Sequence, residues 1–257
     1  MRKIKFIYTT ENRYSEAVRE HDFLLRCIPQ DTPEQKICSL KLEISPRPFG
    51  ANYGRDSFGN RTYTGRIPEE HKIFHYTVSG IVERDDEKIP ESRPIPCFSY
   101  PSLLTQPSPV LYQLKDSFPS SENISEEGDI LCDRIYHYMT YQTGVTNVRT
   151  TAGEAAQNKT GVCQDYAHIF LALCRMMKIP ARYVSGLPVG EGASHAWVEI
   201  WFDGKWHGYD PTRNCHVDET YLRFCTGRDF HDCPIEAGVF WGNCIQNQKV
   251  YTKVEIL

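Results

Sequence analysis

Cys163, His195 and Asp210 are the residue types that thiol chemistry needs. A thiolate is a strong nucleophile, an imidazole can take the thiol proton, and a carboxylate can fix the imidazole tautomer and steady its charge. Each type is common, so the reading depends on whether the local elements bring these three together.

Cys163 lies in Asn158-Lys159-Thr160-Gly161-Val162-Cys163-Gln164-Asp165-Tyr166-Ala167. Val162, Tyr166, Ile169, Phe170, Leu173 and Met177 recur at three- and four-residue steps, the pattern of a helix with one buried face. Thr160 or Asn158 offers a cap, Gly161 a tight entry, and Pro180 a stop. Cys163 is therefore expected in the first helical turn, where unpaired peptide N–H groups and the positive end of the macrodipole favour a thiolate.

The other two residues flank a hairpin. Ser194 to Phe202 and Lys205 to Tyr209 read as strands, and Asp203-Gly204 is a two-residue turn signal. If that pair is the whole loop, Phe202 pairs with Lys205, Trp197 faces Asp210 and His195 faces Thr212. His195 and Asp210 then share a sheet face as diagonal neighbours, with backbones roughly 5.5–8 Å apart. A slip of one residue would separate them onto opposite faces.

The rest of the chain divides by pattern. Residues 1–85 read as a small antiparallel β-sandwich domain: Ile4, Phe6 and Tyr8 alternate with polar neighbours, as do Cys38, Leu40, Leu42 and Ile44. Phe23 to Ile28 is a short apolar run, Asp56 to Asn60 a turn, and Ile73 to Val78 another strand. Residues 86–119 are a proline-punctuated linker, Pro90 to Pro109, with one short helix near Leu103-Leu104. Residues 120–257 form the catalytic domain, with a helix over Ser125 to Gln142 and a capping box Thr151-x-x-Glu154 opening a second through Gln157. After the Cys163 helix comes a strand over Ala181 to Gly186. Thr212 to Asn243 reads as loop with helical pieces, and a strand closes the chain at 249–257. The fold class is α+β.

Composition narrows the function. A net charge of −4 gives no support to a nucleic-acid or membrane-surface role. The start, Met1 to Tyr8, lacks the apolar run of a signal peptide, and no stretch approaches membrane-spanning length, so a cytoplasmic location is expected. Ten cysteines without a C-x-x-C pair read as reduced thiols, mostly small buried hydrophobes. His207, Cys215, His216, His231 and Cys233 follow no zinc-ligand spacing, and no loop has a calcium pattern, so neither metal nor cofactor is expected.

Four segments together resemble the transglutaminase-like superfamily: Gly161 to His168, Ile179 to Gly186, Ser194-His195-Ala196-Trp197-Val198-Glu199, and Asp210-Pro211-Thr212. The bacterial branch is the best likeness, because Asp56-x-Phe58-Gly59-Asn60 is similar to the β domain that precedes its core, and Gly227-Arg228-Asp229-Phe230 fits its pattern. The resemblance implies a papain-like core with Cys163 as nucleophile, His195 as base and Asp210 as its orienter. One departure is informative. Animal transglutaminases hold the oxyanion with a Trp upstream of the cysteine, whereas all four Trp residues here lie downstream. Gln164, Tyr141 and Trp197 are the candidate oxyanion or substrate contacts. His168 reads as a packing or hydrogen-bonding residue, and Asp165 with Arg228 as an ion pair.

The expected activity is thiol-dependent acyl transfer on a peptide or carboxamide carbonyl. Hydrolysis leads, amine transfer is the alternative, and the substrate is a peptide or protein. A non-catalytic binding module that keeps the same core and a metal-binding protein are the competing classes.

Overall fold

The computed structural model describes residues 1–85, 88 and 94–257. Pro90 of the linker lies outside the described residues. The chain opens with β1 (Arg2–Leu25), β2 (Gln35–Ser45), β3 (Phe49–Arg55), β4 (Arg61–Ile67) and β5 (His71–Arg84). Ile4, Phe6 and Tyr8 sit on the inner face of β1, as their alternation requires. The run at Phe23 is not a separate strand; it is the far end of β1, which is 24 residues long. In β2 the inward residue is Ile37 and Cys38 is exposed, because a bulge between Ile37 and Ser39 resets the alternation. Gly80 makes room for that bulge: a Cβ there would lie 2.2 Å from the Ser39 carbonyl oxygen.

The segment read as linker holds a 3-10 turn over Leu103–Thr105, as expected, and also a helix, α1 (Pro109–Ser117). Pro109 at its first position hid the helix among prolines that break structure elsewhere. There follow α2 (Ile124–Tyr138), β6 (Thr140–Tyr141), α3 (Ala152–Asn158), β7 (Thr160–Gly161) and α4 (Cys163–Met176). The α2 helix stops four residues before Gln142, because Thr140 and Tyr141 pair in parallel with Thr160 and Gly161. Thr151 and Glu154 form the capping box of α3.

The last part carries β8 (Ala181–Pro188), β9 (Gly190–Gly192), β10 (His195–Phe202), β11 (Lys205–Asp210), β12 (Cys215–His216), β13 (Tyr221–Gly227), β14 (Glu236–Trp241) and β15 (Gln246–Ile256). A five-stranded sheet runs in the order β12-β11-β10-β8-β13. Ala196, Val198 and Ile200 fill its face against α4. β13 and β14 lie in the stretch expected to be loop. β13 is buried throughout and carries Arg223 mid-strand, so it shows neither the alternation nor the apolar run that marks a strand.

The β-sandwich expected within residues 1–85 is not closed by those residues alone. β15 and β14, from the far end of the chain, pair antiparallel with β1, and β9 pairs with β15. The other four early strands lie on one side of β1, with β5 on its first half and β4 on its second. The other side is an open edge that must be covered, and the closing strand covers it. The two sheets are also stitched together. Gln35 accepts from the Arg223 N–H at 2.8 Å and donates to its carbonyl at 2.8 Å. Asn60 does the same for Thr226, at 2.8 and 2.7 Å. β13 is the edge of its sheet, and these two side-chain amides pair with backbone groups along that edge, where the Gln30 N–H also meets the Arg223 carbonyl. The Asp56 turn exists to aim one of them: Asp56 Oδ1 accepts from the N–H groups of Phe58 and Asn60, and Oδ2 from the Asn60 amide.

Candidate active site

Cys163 is the first residue of α4, and the turn before it is fastened by Asp165. Asp165 Oδ2 accepts from the Val162 N–H at 2.7 Å and from the Thr146 hydroxyl at 2.7 Å. This reach-back replaces the cap expected from Thr160 or Asn158, which are committed to β7 and α3. Gly161 is needed for space rather than for an unusual backbone, since a Cβ there would lie 2.5 Å from Asp165 Oδ2. The expected Asp165–Arg228 ion pair does not form, because Arg228 is held by Asp232, with Nε to Oδ2 at 2.8 Å. The first-turn N–H groups of Cys163 and Gln164 have no carbonyl to meet within the helix, so they face whatever approaches the sulfur.

The hairpin has the expected register. Phe202 pairs with Lys205, and the ladder runs to Val198 opposite Tyr209. His195 and Asp210 lie just beyond it, on one face, with His195 Nε2 2.7 Å from Asp210 Oδ2. Asp210 is fully buried. Its Oδ2 also accepts from the Tyr221 hydroxyl at 2.9 Å, and its Oδ1 from the Thr212 N–H at 3.0 Å. With Nε2 committed to Asp210, the nitrogen left for Cys163 is Nδ1. Burial opposes charge on the ring, but the Asp210 hydrogen bond and the Cys163 sulfur outweigh it and push the His195 pKa up to about 9.

Cys163, Gln164 and His195 line one cavity of about 210 Å³, whose far wall includes Tyr8, Glu236 and Val250 from the strands of the N-terminal sheet. Tyr141 lies elsewhere: it is exposed and shares a second groove of about 190 Å³ with His195, Arg213 and the β9 strand. Trp197 is 1% exposed and packs edge-on against Tyr221 at 5.3 Å, away from both cavity linings. It therefore supports the pair from behind instead of touching substrate. His168 is buried one helical turn beyond the site and accepts from the Phe230 N–H at 3.2 Å; burial pushes its pKa down to about 4, so it is neutral packing. Sequence reasoning missed Tyr221 and Glu236. Both enter through β13 and β14, the two strands that the pattern did not reveal.

The residues considered for zinc are engaged separately. His207 stacks on Phe202 at 3.6 Å, His216 pairs with Asp129 at 2.8 Å, and Cys233 is buried. Among the described residues no group of three or more His, Cys, Asp or Glu side chains is arranged to hold a metal, and no helix is long and apolar enough to cross a membrane.

Residues 113–211 match the transglutaminase-like superfamily, and residues 4–83 match the bacterial transglutaminase-like N-terminal region. The chain belongs to the transglutaminase-like superfamily. Its relatives match over nearly all or part of the sequence. The uncharacterised protein Mb2599c of Mycobacterium bovis is 25% identical over 99% of this chain and 92% of its own. The uncharacterised protein ML0607 of Mycobacterium leprae is 40% identical over 40% of each chain. A crystal structure from Cytophaga hutchinsonii, provisionally named a cysteine protease, superposes with a TM-score of 0.83 at 24% identity, covering 100% of this chain and 92% of that one. That likeness establishes a shared fold over the full length of this chain.

Proposed function

We propose that this transglutaminase-like protein is a thiol-dependent acyl-transfer enzyme that hydrolyses a peptide or carboxamide bond through Cys163, His195 and Asp210. The observation that carries the reading is His195, hydrogen-bonded to Asp210 at 2.7 Å through Nε2 and lining the same cavity as Cys163. The Cys163 proton passes to His195, and the thiolate forms a bond to the carbonyl carbon. The oxyanion meets the first-turn N–H groups, with Gln164 beside them. His195 gives its proton to the departing amine, the C–N bond breaks, and a thioester remains on Cys163.

The same geometry suits the second half of the reaction. Part of what holds the His195 proton is the Cys163 sulfur itself. Once that sulfur is acylated, its contribution disappears and the ring, its proton given to the amine, stays in the neutral form that can act as a base. It then takes a proton from water entering through the groove it shares with Arg213; the water oxygen bonds to the thioester carbon, the C–S bond breaks, the acid leaves and His195 returns the proton to the sulfur. The chemistry needs a reduced Cys163, which agrees with a cytoplasmic setting.

The test is incubation of wild type and Cys163→Ala with peptide libraries, with and without added amine, followed by mass spectrometry. Cleavage with water gain, or ammonia loss with water gain, in wild type only, is the expected result. Amine incorporation in preference to water would make it an amine transferase. Equal inactivity of both proteins, with an iodoacetamide rate at Cys163 that His195→Ala leaves unchanged, would leave a binding module.

A further inference from the structure

The cavity beside Cys163 has a charged floor that the reaction described above does not use. Glu236, the first residue of β14, lines it opposite the catalytic pair. Its two oxygens are held in place by side-chain amides: Asn12 donates to Oε1 at 2.6 Å and Gln248 to Oε2 at 3.2 Å. Each oxygen keeps further acceptor capacity. Among the described residues lining the cavity Glu236 is the one carboxylate, none is Lys or Arg, and the one basic side chain is His195, already hydrogen-bonded to Asp210. A carboxylate accepts from both amides through separate oxygens, which a glutamine with its single oxygen would not do in this arrangement. We propose that Glu236 is a specificity residue, and that the cavity takes a substrate side chain ending in an ammonium or guanidinium group, next to the carbonyl attacked by Cys163. This rests on the acyl-transfer reading and gives that site its substrate class.

Size and electrostatics agree with it. At about 210 Å³ the cavity is smaller than the 300–1,000 Å³ usual for a whole small-molecule site, and suits one extended side chain. Burial raises the Glu236 pKa, and an entering cation would oppose that shift by favouring the ionised form. The N-terminal sheet thereby acquires a task. β14 pairs with β1, Asn12 belongs to β1, and Gln248 to β15, so the sheet around β1 builds the floor of the pocket over which the catalytic sheet places His195.

The experiment reads charge preference at the sulfur without requiring turnover. Cys163 is modified with cationic 2-aminoethyl methanethiosulfonate, neutral methyl methanethiosulfonate and the anionic sulfonatoethyl analogue. Rates are taken by mass spectrometry of the Cys163 peptide and normalised to free cysteine. The cationic reagent should be favoured over the neutral one by about tenfold in wild type, from one partly screened charge in the cavity. The ratio should fall to about one in Glu236→Gln and persist in Glu236→Asp, which keeps the charge if the glutamine variant packs poorly. In parallel, lysyl and norleucyl peptide amides should differ about tenfold in KM with similar kcat, and only while residue 236 is acidic. Charge preference without turnover of any amide would keep the subsite and sink the reaction. Turnover with equal normalised rates for all three reagents, in wild type and Glu236→Gln alike, would overturn the subsite.

Discussion

Two groups of charged side chains hang from the same five-stranded sheet, and they are wired differently. At one end Arg223 of β13 is buried between Glu34 and Glu199, with its Nη1 3.1 Å from Glu199 Oε1, and Arg182 Nε donates to Glu199 Oε2 at 2.6 Å. Burial opposes charge on Glu199, and Arg182 and Arg223 overcome it, holding its carboxyl down to about 2. At the other end Asp210 takes hydrogen bonds from Tyr221, Thr212 and His195, but the chain continues to Cys163, which opens on a cavity. The first cluster also borders a cavity, of about 190 Å³, but there each of its two acids meets an arginine, and the result fixes β13 against the N-terminal region. The second leaves its last member facing space. Similar chemistry gives structure where every acid meets an arginine, and the proposed reactivity belongs where the chain of contacts ends in a thiol.

That contrast can be broken in steps. The largest effect should come from the open cluster's end member: Cys163→Ala should lower acyl-transfer activity on the order of a thousandfold or more, with thermal unfolding close to wild type. Unchanged turnover would move the chemistry elsewhere. The closed cluster should respond the opposite way. Arg223→Met leaves Glu34 and Glu199 buried without their shared partner, and should cost about 3–5 kcal/mol of stability. At a temperature where it stays folded, the alkylation rate of Cys163 should change little. A large loss of thiol reactivity in folded Arg223→Met would show that the two clusters are coupled.

The clusters should also separate by pH. His195 has a raised pKa, so the stability it contributes is complete below its ordinary value near 6.5 and is lost as pH rises through about 9. Glu199 has a lowered pKa, so its contribution is present above about 4.5 and is lost as pH falls towards about 2. Unfolding measured across this range should show an alkaline loss removed by His195→Ala and an acid loss altered by Glu199→Gln. The smallest expected change is Tyr221→Phe. Deleting one hydrogen bond to Asp210 should cost about 1 kcal/mol, or roughly a fivefold fall in kcat, with the alkaline limb of the rate profile moved. A profile identical to wild type would reduce Tyr221 to packing.

Much of this contrast was open to local reading. Period-3.6 apolar spacing around Tyr166 and Phe170 marked α4, and Asp203-Gly204 set a register that places His195 beside Asp210, because a two-residue turn leaves the flanking strands no freedom to slip. The cap on α4 was misplaced by a few residues, since Asp165 reaches backward and looks like an ordinary helix acid. β13 was illegible for a stronger reason: a strand buried on both faces with an arginine in the middle makes sense only once Glu34 and Glu199 are seen to surround it.

By itself, then, the sequence determined what neighbours along the chain can decide: the helix that presents a sulfur, the hairpin that sets a ring against a carboxylate, the turn at Asp56. Tertiary structure decided everything that joins residues far apart in the chain. The closing strand crosses to β1, Gln35 and Asn60 complete the edge of β13, and Glu236 arrives beneath Cys163. Periodicity reports which face of an element is buried, but not what is buried against it. Partner choice depends on which open edges and unpaired charges remain after every element has formed.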